Sequence, residues 1–295
     1  MNKQVAINTE ETEEKDVIRD FEIRDYLRLD LFPHFMCPGC GHGIALRALL
    51  WAIHAQGIDK DKLAIVSGIG CSGRVGTYID ANTYHTTHGR PLAFATGLKM
   101  ARPDLHVVVI TGDGDCLAIG GNHLIHAARR NLDITCLMLN NEICGMTGGQ
   151  VSPTTPHDRF TTTTPAGNME PVFDASRLAE ASGAGFVGRE LTIHLPRLRD
   201  LIAEGLAYKG FSFVEVMSDC TEVNGRKNDL GSSPEMVLGQ TRTMRPSEYD
   251  NNVVDHPFRP NSMNMGVFVK SDRPEYGESY RNMVDQVQNL KKGDK

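Results

Sequence analysis

The stretch Gly112-Asp113-Gly114-Asp115, followed downstream by Asn140-Asn141, carries the residue types of a magnesium–diphosphate site. Glycine at 112 and 114 lets backbone approach an anion closely, while the Asp113 carboxylate and the Asn141 amide oxygen are hard ligands that suit magnesium. Chemistry requires the two clusters to meet in space. The apolar run 105–110 predicts a buried strand, 117–130 a helix and 134–139 the next strand. Such a crossover brings both polar clusters to the carboxyl edge of one parallel sheet, where ligands of open α/β sheets bind. A GDG alone is also an ordinary tight turn, and an NN pair a strand terminator. The two in register point to a cation that bridges to phosphate.

A second set of reactive side chains is made of thiols. Cys37 and Cys40 form a CPGC loop, Cys71 sits in a glycine-dense turn, and Cys220 follows the last well-marked strand. Four thiolates on loops could bind zinc or a [4Fe–4S] cluster, and CxxC spacing does not choose between them. Cys71 is the link, because its turn lies at the sheet edge that carries the diphosphate site. Of the remaining thiols, Cys136 reads as a core residue in an apolar strand, and Cys116 and Cys144 as packing residues that flank the cofactor loops.

Residues 1–22 read as an acidic arm, and 23–31 as a short ordered entry. A helix is expected over 44–56 with Gly57 as its cap, a strand over 63–67, then the turn 68–74 and the loop 85–90, which enters a helix through Pro91. The threonine- and proline-rich segment from 145 to 171 is longer than ordinary connections, which marks it as functional. Helices over 174–182 and 195–208 alternate with strands near 185–188 and 211–217, so the fold class is α/β, a doubly wound, mostly parallel sheet. After Cys220 periodicity fades, and 221–295 reads as an irregular wrapping arm with one polar helix over 275–290. The domain proper is then 23–220.

Composition closes off other classes. With 40% hydrophobic and 23% charged residues the 295-residue chain suits a soluble globular protein, and a net charge of −6 gives no basic footprint for nucleic acid. No run reaches the roughly 18 apolar residues of a membrane span. An odd count of 7 cysteines suits a reducing compartment, so a cytoplasmic protein is expected.

The GDG and NN halves resemble the thiamine diphosphate motif. Together with CPGCGHG, GIGCSGR, HTTHGRPLAFATGLK, GDGDCLAIGGNHLIHAARRN and NNEICGMTGGQVSPTTP, they make residues 26–220 similar to the β subunits of 2-oxoacid:ferredoxin oxidoreductases, most of all the 2-oxoglutarate type. The resemblance implies that Asp113, Asn141 and the Ile143 carbonyl hold magnesium on thiamine diphosphate. It also implies that Cys37, Cys40, Cys71 and Cys220 ligate one [4Fe–4S] cluster, and that Gly70, Cys71, Ser72, His88, Gly89, Arg90, Gly112, Gly114, Asp115 and Thr147 surround the cofactor. Arg74 is the candidate partner of the substrate carboxylate, since a guanidinium can grip it with two hydrogen bonds. Met146 and Thr147 would close the pocket.

The reaction implied is thiamine-dependent oxidative decarboxylation of a 2-oxoacid to acyl-CoA and CO2, with electrons passing through the cluster to ferredoxin, or its reverse. Pyruvate or another 2-oxoacid is the alternative substrate, and a zinc-stabilised scaffold subunit the alternative class. The chain has room for only the diphosphate half of a thiamine site, so an α subunit is expected to complete it, in an (αβ)2 assembly. Cys144 stands where the family more often has tyrosine, which bears on the pocket wall. His85, His123 and His126 read as polar loop and helix residues, and His42 stays open.

Overall fold

Runs of β-branched and other apolar residues form the strands, and short polar or glycine turns end them. The computed structural model describes residues 23–246 and 263–293. Strands β1 (Leu63–Ser67), β2 (Asn82–His85), β3 (His106–Gly112), β4 (Ile134–Asn140), β5 (Phe186–Leu191) and β6 (Phe211–Met217) are all parallel, in the order β2-β1-β3-β4-β6-β5. Every residue of β1, β4, β5 and β6 is buried, as expected for strands covered on both faces.

Helices α1 (His42–Ala55) and α5 (Leu195–Ala207) cover one face, where Leu49, Ile53 and Ile202 meet Ile65, Val108 and Val214. Helices α2 (Pro91–Ala101), α3 (Gly121–Arg130) and α4 (Ala175–Ala181) cover the other, with Leu92, Leu124 and Ala179 against Val66, Val109 and Phe213. Each such fully buried large aliphatic side chain contributes about 1.5–3 kcal/mol. The chain runs from β1 outward to β2 and then back past β1 to β3. Loops after β1 and β3 therefore diverge and leave a crevice at the carboxyl edge, the place where doubly wound sheets bind ligands.

Strands 63–67 and 211–217 fall where the sequence places them, but three features differ. The edge strand β2 has a polar, largely exposed sequence and reads as loop without its neighbour β1. The helix expected over 117–130 is broken: a π-helical turn spans Gly114–Ile119 and α3 begins at Gly121. Gly120 at the junction has no room for a side chain, since a Cβ there would lie 2.4 Å from the Asp115 carbonyl oxygen. Beyond Cys220 the sequence places only the final helix, α7 (Tyr276–Gly293), whereas the structure adds α6 (Ser233–Thr243), β7 (Met244–Pro246) and β8 (Met263–Lys270). Strand β8 joins the sheet antiparallel to β5 through a bulge at Val187/Gly188. The arm expected over 1–22 lies outside the described residues. Among the described residues no helix is long and apolar enough to cross a membrane.

Candidate active site

The crevice is a cavity lined by loops from several strand ends and the start of α1. Gly70, Cys71 and Ser72 come from the loop after β1, Gly112–Asp115 from β3, Asn141, Ile143 and Cys144 from β4, and His42 from α1. Asp113 is 3% exposed. Its Oδ2 accepts hydrogen bonds of 2.6 Å from both Ser152 Oγ and Thr154 Oγ1, residues of the long Thr/Pro-rich loop. Burial pushes its carboxyl up to about 6, against the pull of those donors and of the Gly114 backbone N–H. A carboxylate held in such a place calls for a cation beside it. The cradle is narrow: a Cβ on Gly112 would stand 2.7 Å from Ser72 Oγ and one on Gly114 2.4 Å from Cys144 Sγ.

The Asn140-Asn141 pair splits into two roles. Asn140 belongs to the framework, donating to Glu215 and accepting at Oδ1 from the Glu142 N–H, with Thr154 Oγ1 3.0 Å from the same oxygen. Asn141 lines the cavity and makes no side-chain hydrogen bond among the described residues, which leaves its amide for a ligand. Glu142 between Asn141 and Ile143 adopts a left-handed φ of 61°, a conformation non-glycine residues hold only when their surroundings fix it.

Asp115 lines the cavity but serves mainly to tie loops together. Its Oδ1 accepts from the N–H groups of Ile69 and Gly89 and meets His88 Nδ1 at 2.6 Å, while Oδ2 accepts from Thr111 Oγ1. With Nδ1 engaged, His88 directs Nε2 elsewhere, and the ring lines the cavity. His42, left open by the sequence, also lines it. The ring is buried, bonds Ser218 Oγ at 2.9 Å, and is pushed down to about 4 by burial, so it is neutral.

The two arginines and Gly89 stand apart from the wall. Gly89 sits behind it, bonded to Asp115. Arg90 is exposed and pairs with His123 on α3, and Arg74 is exposed on the 3-10 turn Gly73–Tyr78. Burial lowers the proton affinity of the His85 imidazole, and the nearby Arg74 charge lowers it further. Arg74 makes no side-chain hydrogen bond among the described residues, which leaves its guanidinium for a ligand. Met146 and Thr147 line the mouth, both exposed, with Thr147 held by Gln150.

Of the four loop thiols, Cys71 lies in the wall and Cys37, Cys40 and Cys220 are its neighbours. Burial pushes Cys40 up to about 12, helped by the fields of Cys71, Cys220 and Cys37, and burial likewise raises Cys71 and Cys220. Backbone N–H groups oppose this: that of His42 donates to Cys40, that of Met146 to Cys71, and those of Val223 and Asn224 to Cys220. Gly145 wedges between two of the sulfurs, since a Cβ there would lie 3.3 Å from Cys220 Sγ and 4.0 Å from Cys71 Sγ. Among the described residues no three His, Cys, Asp or Glu side chains converge on one ion. Cys116 and Cys136 are buried against each other in the core, and Cys144, pushed up to about 11 by burial, packs on the cradle.

Known proteins resemble this chain over most of its length. The C-terminal TPP-binding domain of thiamine pyrophosphate enzymes matches residues 68–216. The 2-oxoglutarate synthase subunit KorB of Methanothermobacter marburgensis is 44% identical over 270 residues, covering 88% of this chain and 91% of that protein. The chain belongs to the 2-oxoacid:ferredoxin oxidoreductase β-subunit family. A second KorB relative, from Archaeoglobus fulgidus, is 52% identical over 200 residues, 68% of this chain and 74% of its own. A solved 2-oxoglutarate:ferredoxin oxidoreductase from Magnetococcus marinus, with 2-oxoglutarate, coenzyme A and succinyl-CoA bound, superposes with a TM-score of 0.81 at 31% identity, covering 92% of this chain and 93% of that one.

For a β subunit of this family the residues present fit both implied groups. A buried carboxylate, an uncommitted amide and a cradle without Cβ atoms suit magnesium and diphosphate. Four neighbouring thiols, three of them fed by backbone N–H donors, suit an iron–sulfur cage. Ser152 and Thr154 were not singled out in the sequence, although the length of their loop marked the segment.

Proposed function

We propose that this subunit holds the diphosphate end of thiamine diphosphate and carries one [4Fe–4S] cluster in an enzyme that converts 2-oxoglutarate and coenzyme A to an acyl-CoA and CO2, or runs the reverse. The observation that carries the reading is Cys71: it lines the cavity with Asp113 and Asn141, and it is a near neighbour of Cys40 and Cys220. One loop therefore touches both a cofactor cradle and a thiol cage.

Bound there, thiamine diphosphate supplies a carbon nucleophile that also accepts the electron pair released by decarboxylation, and the cluster takes electrons singly. This chain's residues do the holding and steering. Asp113, Asn141 and the Ile143 carbonyl would bind the magnesium, with Gly70, Ser72, Gly112 and Gly114 against the diphosphate. Asp115 orients His88 toward the cofactor side. Neutral His42 and the apolar Leu139 and Ile143 keep the inner wall from attracting bulk water. Arg74, exposed and three residues beyond Cys71, would meet the 2-oxoacid carboxylate.

The cavity holds about 120 Å³, short of the roughly 300–1,000 Å³ usual for cofactor sites. A separate α subunit is therefore proposed to form the other wall, in an (αβ)2 assembly that passes electrons to ferredoxin in the cytoplasm. The test is anaerobic co-purification with the α subunit, iron and sulfide analysis, and ferredoxin reduction over a panel of 2-oxoacids with coenzyme A. Cluster-dependent reduction fastest with 2-oxoglutarate is expected; zinc in place of iron, or full turnover by this chain alone, would overturn the reading.

A further inference from the structure

The deepest charged groups among the described residues lie under the cavity floor and not in it. Arg189 on β5 and Glu215 on β6 face each other across the strands, 2% and 0% exposed, with Nε 2.8 Å from Oε2. Arg189 also pairs with Asp174, the N-cap of α4, and donates to the Asn264 carbonyl of β8. Ser176 Oγ donates to the same Glu215 Oε2 at 2.8 Å. The other oxygen, Oε1, accepts from Asn140 Nδ2 at 2.8 Å. From Asn140 the contacts lead upward: Oδ1 accepts from the Glu142 N–H at 3.1 Å and stands 3.0 Å from Thr154 Oγ1, which donates its proton to Asp113 Oδ2 at 2.6 Å.

A buried ion pair of this kind adds little stability over well-packed apolar residues of the same volume, so its value lies in what it orients. Glu215 is an acceptor only. It therefore fixes which end of the Asn140 amide faces down, and so guarantees that a carbonyl oxygen faces the Glu142 N–H. That bond holds Glu142 at its left-handed φ, and the turn through Glu142 sets Asn141 and Ile143 on the cavity wall.

We infer that Glu215, locked by Arg189, is a positioning residue for the magnesium–diphosphate site, acting through the Asn140 amide on Asn141, Ile143 and the hydroxyl that meets Asp113. The inference rests on the thiamine diphosphate reading above. In Glu215→Gln the amide oxygen stays with Arg189 and Ser176, so its NH2 faces Asn140 Nδ2, donor against donor. Relief requires Asn140 to turn over, which then sets its NH2 against the Glu142 N–H. Exchanging the groups, Glu215→Gln with Asn140→Asp, restores every donor and acceptor with the same total charge.

The experiment measures magnesium-dependent thiamine diphosphate binding by calorimetry on the intact αβ complex. The wild-type complex binds. Glu215→Gln is expected to weaken magnesium affinity about 10- to 100-fold, the usual effect of removing a group that orients a ligand. The exchange variant is expected to recover most of it. Lys99→Met, which breaks a largely buried pair with Asp133 far from the cavity, should lower the melting temperature and leave binding unchanged. Unaltered affinity in Glu215→Gln, or no recovery in the exchange variant, overturns the inference, while no binding by the wild type overturns the cofactor reading itself. If Glu215→Gln does not fold, Arg189→Met with Glu215→Leu fills the same space without charge, and unaltered affinity in that variant refutes the inference equally.

Discussion

Replacing Asp113 by asparagine should make the metal-free protein more stable while it abolishes cofactor binding. Burial raises the Asp113 carboxyl from its ordinary 3.8 to about 6, so keeping it ionised at pH 7 costs the metal-free fold about 3 kcal/mol. Asparagine is uncharged and its oxygen can still accept from Ser152 and Thr154. Its NH2 meets the Gly114 N–H, a mismatch worth about 1 kcal/mol. The net gain is about 2 kcal/mol, which for a chain of 295 residues is a rise in melting temperature of about 3 °C. The sign with pH follows from the raised value: the penalty on wild type is full above about 6, shrinks as pH falls, and is gone below about 4. Scanning calorimetry of chelator-treated complex at pH 7 and about pH 4.5 measures both effects. Magnesium and thiamine diphosphate at about 100 times Kd should then add about 2.7 kcal/mol to wild type alone and reverse the order. A metal-free Asp113→Asn variant that melts below wild type at pH 7, or a gap that does not narrow on acidification, refutes the argument.

Other predictions separate the remaining parts of the site. Cys220→Ala should strip iron and sulfide from the complex while thiamine diphosphate affinity stays within about threefold, since Cys220 lies outside the cradle. Arg74→Met should lower kcat/KM for 2-oxoglutarate about 10- to 100-fold, the worth of a charge-assisted hydrogen bond, and leave cluster content and cofactor affinity unaltered. An unchanged KM would assign Arg74 to the surface. His42 is held neutral in the fold at about 4, so stability present above pH 6.5 is lost as pH falls toward 4 and the unfolded chain takes up a proton. His42→Gln, which keeps a partner for Ser218, should flatten that loss in denaturant titrations between pH 6.5 and about 4.

Motifs whose chemistry is local were legible in the residues. Strands of continuous apolar residues, the Pro91 helix start and the GDG and NN clusters each depend on neighbours in sequence, and they appear where expected. Strand β2 was not legible, because a polar edge strand has no signal until β1 offers it hydrogen bonds. Strand β8 was hidden because its pairing partner β5 lies about 80 residues earlier in the chain.

For the site, residue types and spacing determined which atoms could meet a cation, a diphosphate and a thiol-bound metal. Only the tertiary structure decided how they divide the work. Asn140 and Asn141 are the same residue type side by side, yet one is locked on Glu215 and the other left to the cavity, since successive residues of a strand end face opposite ways. Asp113 and Asp115 divide likewise, one toward the cavity and the hydroxyls of a loop about 40 residues on, the other into binding three loops together. Arg74, the candidate carboxylate partner in the sequence, and Arg90, expected beside the cofactor, both stand outside the wall, and Arg90 is held by His123. These assignments depend on which groups from distant segments take up each hydrogen bond, and that is set only when the sheet brings its strand ends together.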